Sequence, residues 1–278
     1  MPDYASIPGG DAEWYGTPGN DTLIADALPG FTFDNLITTF GGNDIVYAGR
    51  GDDIVFAGKG NDIVFGGAGD DALMGEDGND RLSGGTGGDV LDGGRGNDWL
   101  EGGEGADRLL GGDGNDIVLG DSGNDALLGG KGNDLMDGGS GNDIVSGGEG
   151  NDVLTGGTGN DRLAGDAGND FLAGGSGNDR LTGGSGNDKM VGGSGEDTFY
   201  FASGFGRDVV LDFRPGTDVL ELASNINGSG INDPSDLAGY IRDTDAGAVI
   251  RIGGDSITLV GVSADELSGN LGAYVRIV

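Results

Sequence analysis

The chain has 278 residues, 66 of them glycine, and a formal charge of −34 from 48 acidic and 14 basic side chains, with no cysteine and no histidine. This composition excludes disulfide, thiolate and iron–sulfur chemistry, HExxH zinc sites, Ser-His-Asp triads and the usual near-neutral proton shuttle, and without a three-residue period the glycine is not collagen-like. So acidic a chain repels nucleic acid and anionic membranes and attracts cations, and no apolar run approaches the roughly 18 residues that span a bilayer.

Residues 1–40 read as an N-terminal cap with one degenerate repeat. Met1-Pro2-Asp3-Tyr4-Ala5 is acidic and lacks the basic-then-apolar layout of a cleaved secretory signal, so export is expected to use another route. The degenerate repeat is Gly16-Thr17-Pro18-Gly19-Asn20-Asp21-Thr22-Leu23-Ile24. Its Asp21 stands 23 residues before Asp44, five more than one 18-residue coil. Phe31-Thr32-Phe33 and Leu36-Ile37 are expected to cap the first coil, because the end of a solenoid needs covering.

Residues 41–201 are an array. Aspartate recurs every nine residues without a slip, at Asp44, Asp53, Asp62, Asp71, Asp80, Asp89, Asp98, Asp107, Asp116, Asp125, Asp134, Asp143, Asp152, Asp161, Asp170, Asp179, Asp188 and Asp197. Glycine stands two residues before each of them, and an apolar residue two residues after, from Val46 to Phe199. Three positions held in phase for so long define the architecture. Asp-x-apolar-x is too short for a helix with one buried face but suits a three-residue strand with one inward side chain. The Gly-Gly-x-Gly-Asn portion needs backbone geometries that glycine tolerates best. Each repeat therefore reads as turn and strand. Two repeats close one coil, and the coils stack into an all-β parallel roll with a thin apolar core.

That roll stacks like charges. Aspartates of alternate repeats lie about 4.8 Å apart, and each pair repels by roughly 0.9 kcal/mol even at the dielectric of water. A cation reverses the sign. Ca²⁺–oxygen distances of about 2.3–2.6 Å fit one ion between two such carboxylates, with turn carbonyls completing an oxygen shell. Two columns of aspartates leave roughly 16 gaps, and that many Ca²⁺ ions nearly cancel the formal charge.

Residues 202–278 change character and read as a small β-rich C-terminal cap. Val219-Leu220-Glu221-Leu222, Ala248-Val249-Ile250-Arg251-Ile252 and Ser256-Ile257-Thr258-Leu259-Val260 alternate like strands. Asp233-Pro234-Ser235-Asp236 predicts a helix start, with Asp233 as N-cap and Pro234 in the first position.

Units such as Gly147-Gly148-Glu149-Gly150-Asn151-Asp152-Val153-Leu154-Thr155 resemble the RTX, or haemolysin-type, calcium-binding repeat. Asp197-Thr198-Phe199-Tyr200-Phe201, followed by Gly206-Arg207-Asp208-Val209-Val210-Leu211-Asp212-Phe213, resembles the cap that follows such repeats in serralysin-like secreted proteins. The resemblance implies a parallel β-roll with Ca²⁺ between adjacent turns, bound by backbone carbonyls and the repeat aspartates, here the eighteen named above. It also implies export through a type I secretion machinery with an uncleaved C-terminal signal, and a secreted or cell-surface location. Departures from the pattern are few: Gly88, Ala106 and Glu196 replace Asn or Asp before the aspartate, and Glu76, Asp121 and Asp166 replace a turn glycine. The tail Ala273-Tyr274-Val275-Arg276-Ile277-Val278 is apolar but lacks an acidic residue just before its apolar end.

The residue after each aspartate faces outward. On one side this gives an apolar stripe, Trp99, Ile117, Leu135, Val153 and Phe171. Cover by a neighbouring loop or a second copy of the chain explains such a stripe, and a glycan stacking on Trp99 and Phe171 is the ligand-binding alternative. Tyr47, Phe56 and Phe65 also point outward and are expected to lie under the N-terminal cap. The sequence thus predicts a non-catalytic, calcium-dependent extracellular protein with a structural, adhesive or matrix role. The alternative is a polysaccharide-binding module like those attached to alginate epimerases. Ice binding fits less well, because Glu104 interrupts the Thr/Ser row and the opposite turns carry mixed charge. A carboxylate-only glycosidase fits less well too, because the aspartates are committed to the ladder.

Overall fold

Alternation along each repeat decides its strand. In Arg81–Thr86 the side chains of Leu82 and the hydrogen of Gly84 face inward and are buried, Arg81 and Thr86 are exposed, and Ser83 lies between. The same pattern recurs in Trp99–Glu104 and Val153–Thr158. The strands are six residues long rather than the three expected from the apolar position alone. Glycine explains the difference: with no side chains to turn aside, the backbone ladder runs on through the Gly-Gly pair, so that Gly103 and Glu104 still register with Gly85 and Thr86.

The computed structural model describes residues 13–25 and 33–278. The chain divides into two units, Met1–Ser140 and Gly141–Val278. The first is a parallel β-roll of two sheets. One carries, in spatial order, Glu13–Tyr15, Leu36–Thr38, Ile54–Lys59, Ala72–Asp77, Val90–Arg95, Arg108–Asp113 and Ala126–Lys131. The other carries Thr22–Ile24, Ile45–Arg50, Ile63–Ala68, Arg81–Thr86, Trp99–Glu104, Ile117–Ser122 and Leu135–Ser140. Partners are one coil apart, Leu82 with Leu100 and Leu100 with Val118. Asp21 and the strand after it join the roll across the longer first coil, with Leu23 opposite Val46.

Two expectations for the N-terminal region change. Leu36-Ile37 does not cap the roll; Leu36–Thr38 is a strand of it, in register with Ile54–Phe56. Phe31 and Thr32 lie outside the described residues. Nor is Tyr47 covered: it keeps 44% of its surface and stacks on Phe65 at 5.0 Å between ring centroids.

The second unit begins in the same way. One sheet carries Ile144–Glu149, Arg162–Gly168, Arg180–Gly186 and Thr198–Phe201, and the other Val153–Thr158, Phe171–Ser176 and Lys189–Ser194. Past the last nonapeptide the roll continues. Val219–Leu222 and then Val275–Ile277 add in parallel to the first sheet, and Arg207–Val210 and Asp255–Val260 to the second. The antiparallel additions are Gly247–Ile252 and Ile241–Thr244. The helix expected at Asp233 is a 3-10 helix, Pro234–Gly239, with a full capping box between Asp233 and Asp236. Phe199, Phe201, Phe205 and Phe213 give this end a thicker core than one apolar side chain per repeat supplies.

The turns bring successive coils into contact. Gly96 has φ +128°, and a Cβ there would fall 1.4 Å from the carbonyl oxygen of Gly78, one coil earlier. Only glycine permits that approach. Glu76, Asp121 and Asp166, which replace another turn glycine, hold the same left-handed backbone at φ 73°, 66° and 70°. Phe40, one coil before Gly58, does likewise at φ 69°. Such residues are strained by about 1–2 kcal/mol each. Gly96→Ala is therefore expected to destabilise the folded protein by about 3 kcal/mol, whereas Glu76→Gly should be neutral or stabilising by up to about 1 kcal/mol. Urea unfolding at saturating calcium checks both, and a Gly96→Ala midpoint equal to that of the parent would refute the close-stacking account.

Candidate metal centre

Each repeat aspartate sits at the start of its strand, where the turn ends, and its side chain folds back beneath the turn. All eighteen are at most 3% exposed. Glycine makes the space: a Cβ on Gly84 would come within 2.2 Å of Asp89 Oδ2. The inward glycine is thus the floor under the carboxylate five residues on.

The two carboxylate oxygens have different surroundings. Oδ1 accepts a backbone N–H from the aspartate one coil earlier: Asp62 N–H donates to Asp80 at 2.8 Å, Asp80 to Asp98 at 2.7 Å and Asp98 to Asp116 at 2.8 Å. Oδ2 is buried and receives no hydrogen bond in Asp44, Asp62, Asp71, Asp80, Asp89, Asp98, Asp107 and Asp116 of the first unit, nor in Asp161, Asp170, Asp179 and Asp188 of the second. A carboxylate oxygen buried without a donor is costly, and here it is repeated coil after coil. Carbonyls converge on the same space. The Cβ position of Gly75 lies 2.4 Å from Asp80 Oδ2 and 2.6 Å from the Gly93 carbonyl oxygen of the next coil; that of Gly111 lies 2.5 Å from Asp116 Oδ2 and 2.6 Å from Gly129 O.

Burial dominates the electrostatics. It pushes the carboxyls of Asp71, Asp80 and Asp170 up to about 7 and those of Asp62, Asp89, Asp98, Asp116 and Asp179 up to about 6. The N–H bond to Oδ1 pulls each value back. Neighbouring aspartates of the ladder push Asp71, Asp80 and Asp170 further up. The site thus offers hard oxygen acceptors, buried, short of donors and short of positive charge. That is the donor set of a hard divalent cation with a flexible, oxygen-only shell, and it fits Ca²⁺. Among the described residues no three acidic side chains converge on one point. Each ion would therefore take two carboxylates at most and complete its shell with turn carbonyls.

The asparagine that precedes many of the aspartates forms a second ladder running the opposite way. Asn61 N–H donates to Asn43 Oδ1 at 2.9 Å, Asn79 to Asn61 at 2.9 Å and Asn97 to Asn79 at 2.6 Å. It holds the turns in register while the aspartates face the site.

Four positions join the columns beyond the eighteen, of which the degenerate repeat already places Asp21. Asp208 and Asp218 continue the columns: Asp188 N–H donates to Asp208 Oδ1 at 2.9 Å and Asp197 N–H to Asp218 Oδ1 at 3.2 Å. Asp208 Oδ2 also lacks a donor, and burial pushes this carboxyl up to about 8. Asp21 N–H donates to Asp44 Oδ1, and Asn35 occupies the corresponding place before Asp53. The signal was Asp-x-apolar, present at Asp208-Val209-Val210 and Asp218-Val219-Leu220 although the nine-residue spacing is lost. The outward stripe is separate from these sites. Trp99, Ile117 and Leu135 are in register in the first unit, and Val153 and Phe171 in the second. Trp99 is 37% and Leu135 47% exposed, and Arg81 lies over the Trp99 ring at 5.2 Å.

The family model of the RTX calcium-binding nonapeptide repeat (4 copies) matches in overlapping segments from residue 32 to residue 209. That is well over half of the sequence, and the chain belongs to this family, whose repeats bind calcium. A search of curated proteins returned no match. Among solved structures, the extracellular lipase LipA from Serratia marcescens is similar at 25% identity and a TM-score of 0.41, over 70% of this chain and 40% of the lipase. The AlgE6R3 subunit of the Azotobacter vinelandii mannuronan C5-epimerase is similar at 24% identity and a TM-score of 0.18, over 66% of this chain and 78% of that one. At these scores neither likeness speaks to function.

The raised carboxyls fix the sign of a pH effect. A metal-free roll holds more protons than the unfolded chain between about 4 and about 7, so its stability is greatest below that window and is lost as pH rises through it. Calcium needs the deprotonated form. The calcium midpoint at pH 5.5 should therefore lie several-fold above that at pH 7.5, while the EDTA-treated chain gains β structure on acidification towards pH 4. Circular dichroism titrations at the two pH values check this; identical midpoints would contradict it.

Proposed function

We propose that this protein is a calcium-folded extracellular scaffold whose eighteen repeat aspartates, with Asp208, form two columns that ligate a ladder of Ca²⁺ ions, one between successive members of each column. The observation that carries the reading is the row of buried Oδ2 oxygens without donors, with the carbonyl of the next coil's inward glycine close by at Asp80 and Asp116. A divalent cation supplies the charge that such a row lacks, and its binding energy becomes folding energy. Family membership supports the ion's identity.

The role follows from where calcium is abundant. Extracellular modules bind at about 10⁻⁴–10⁻³ M, far above cytosolic calcium. A chain of net charge −34 stays open inside the cell, suits passage through a type I secretion machinery and folds outside. None of the described helices is long and apolar enough to cross a membrane. The buried acidic side chains are engaged in the ladder rather than gathered at a pocket, which favours a structural, adhesive or matrix role over catalysis.

A ladder has neighbours, and its ends differ from its middle. Asp116→Ala removes a carboxylate shared by two gaps and should lower the cooperativity of calcium-induced folding and raise its midpoint several-fold. Asp44→Ala, with only Asp21 beyond it in its column, should fray one coil and shift the midpoint less than twofold. Calcium titrations followed by circular dichroism distinguish the two, and equal shifts would show that the sites are not coupled through the stack.

A further inference from the structure

In the second unit the column Asp161, Asp179, Asp197 changes at its last member. Asp161 and Asp179 have a buried Oδ2 without a donor; Asp197, no more exposed, does not. Its Oδ2 accepts from Arg214 Nη2 at 3.1 Å. The same nitrogen donates to the Gly195 carbonyl at 2.7 Å and to Asp218 Oδ1 at 2.8 Å. One cationic atom therefore contacts two carboxylates of successive coils and a turn carbonyl. The gaps before it offer oxygens of the same kind, carboxylate and backbone carbonyl, although there the carbonyl is that of an inward strand glycine, Gly174 near Asp161 and Gly192 near Asp179. The guanidinium is held in place from behind, because Arg214 Nε and the Arg214 backbone N–H both donate to Asp218 Oδ2, at 3.1 Å and 2.7 Å. Tight-turn bonds from the N–H groups of Thr217 and Asp218 to the Arg214 carbonyl fix the loop that presents it.

The other column ends differently. Asp208 Oδ2 is buried and has no donor. At the start of the first unit, the side-chain oxygens are met by neutral donors instead: Asp21 Oδ2 accepts from the Thr17 N–H and hydroxyl, and Asn35 Oδ1 from the Trp14 indole at 3.2 Å.

We propose that the Arg214 guanidinium is a built-in cation that fills the last cation position of the Asp197 column, so that this end of the ladder closes without Ca²⁺ while the Asp208 column takes an ion to its end. The inference rests on the calcium-ladder reading above. The charge logic is simple: two buried carboxylates at 0% and 1% side-chain exposure face a cation anchored by its own chain, and a fixed cation needs no calcium to fill the gap.

Native mass spectrometry of the full chain at saturating calcium counts the bound ions. Arg214→Gln removes the charge but leaves Asp197, Asp218 and the Gly195 carbonyl, so the variant should fold in millimolar calcium and carry one more ion than the parent. Arg214→Lys, which keeps a cation on the same stem, should carry the parental number. Equal counts in the parent and Arg214→Gln would overturn the proposal. So would an Arg214→Gln chain that stays unfolded in millimolar calcium, because calcium could then not take the position, and so would an extra ion in Arg214→Lys. A parent that carries no calcium and shows no calcium-dependent folding would remove the ladder itself, an outcome distinct from equal, non-zero counts.

Discussion

Rows of carboxylates, buried one coil apart, set the terms for the rest of this structure. At a spacing of about 4.8 Å the repulsion is modest in water and grows as the surroundings become less polar. Each aspartate offsets part of it through the backbone N–H of the coil before, which satisfies Oδ1. In Asp80, Asp98 and Asp116 the remaining oxygen is buried without a donor. Burial pushes the carboxyls towards the neutral form, up to about 7 at Asp71, Asp80 and Asp170. On the proposed reading, folding, charge and calcium are three aspects of one equilibrium.

The glycines follow from the same constraint. The inward glycine of most repeats clears space for a carboxylate, with Ala48 and Ala57 in that place in the first two, and the turn glycines let one coil rest on the carbonyls of the one before. A thin core of one apolar residue per repeat follows in turn, since the other inward position has been given to glycine. Larger side chains return where the column ends, with Phe199, Phe201, Phe205 and Phe213. The two kinds of interior divide the work: on the proposed reading ions hold the repeats, and apolar packing holds the end that follows them.

Much of this was legible in the sequence because a strict nine-residue phase leaves one way to place Asp, apolar residue and glycine on a narrow coil. The parallel roll, the inward series from Val46 to Phe199 and the buried aspartates all follow from it. Strand length was not legible, because Gly-Gly reads as turn chemistry although its backbone still pairs. Leu36–Thr38 read as a cap because its aspartate position is held by Asn35. Asp208 and Asp218 escaped because their coils carry longer loops, which the roll absorbs outside the strands while keeping Asp-x-apolar in register. Arg214 escaped for another reason: nothing in Arg214-Pro215-Gly216-Thr217-Asp218 signals that a guanidinium will face an aspartate of the preceding coil. Long-range convergence of that kind is visible only once the coils are stacked.

The most direct test of calcium-dependent folding is the hydrodynamic radius of the full chain, measured with its far-UV circular dichroism, in EDTA and again in millimolar calcium at neutral pH. The account predicts an expanded, coil-like chain in EDTA that contracts sharply and becomes β-rich as calcium is added. A chain already compact and β-rich in EDTA would show that the apolar core and the ends suffice, and would contradict the claim that calcium folds this protein.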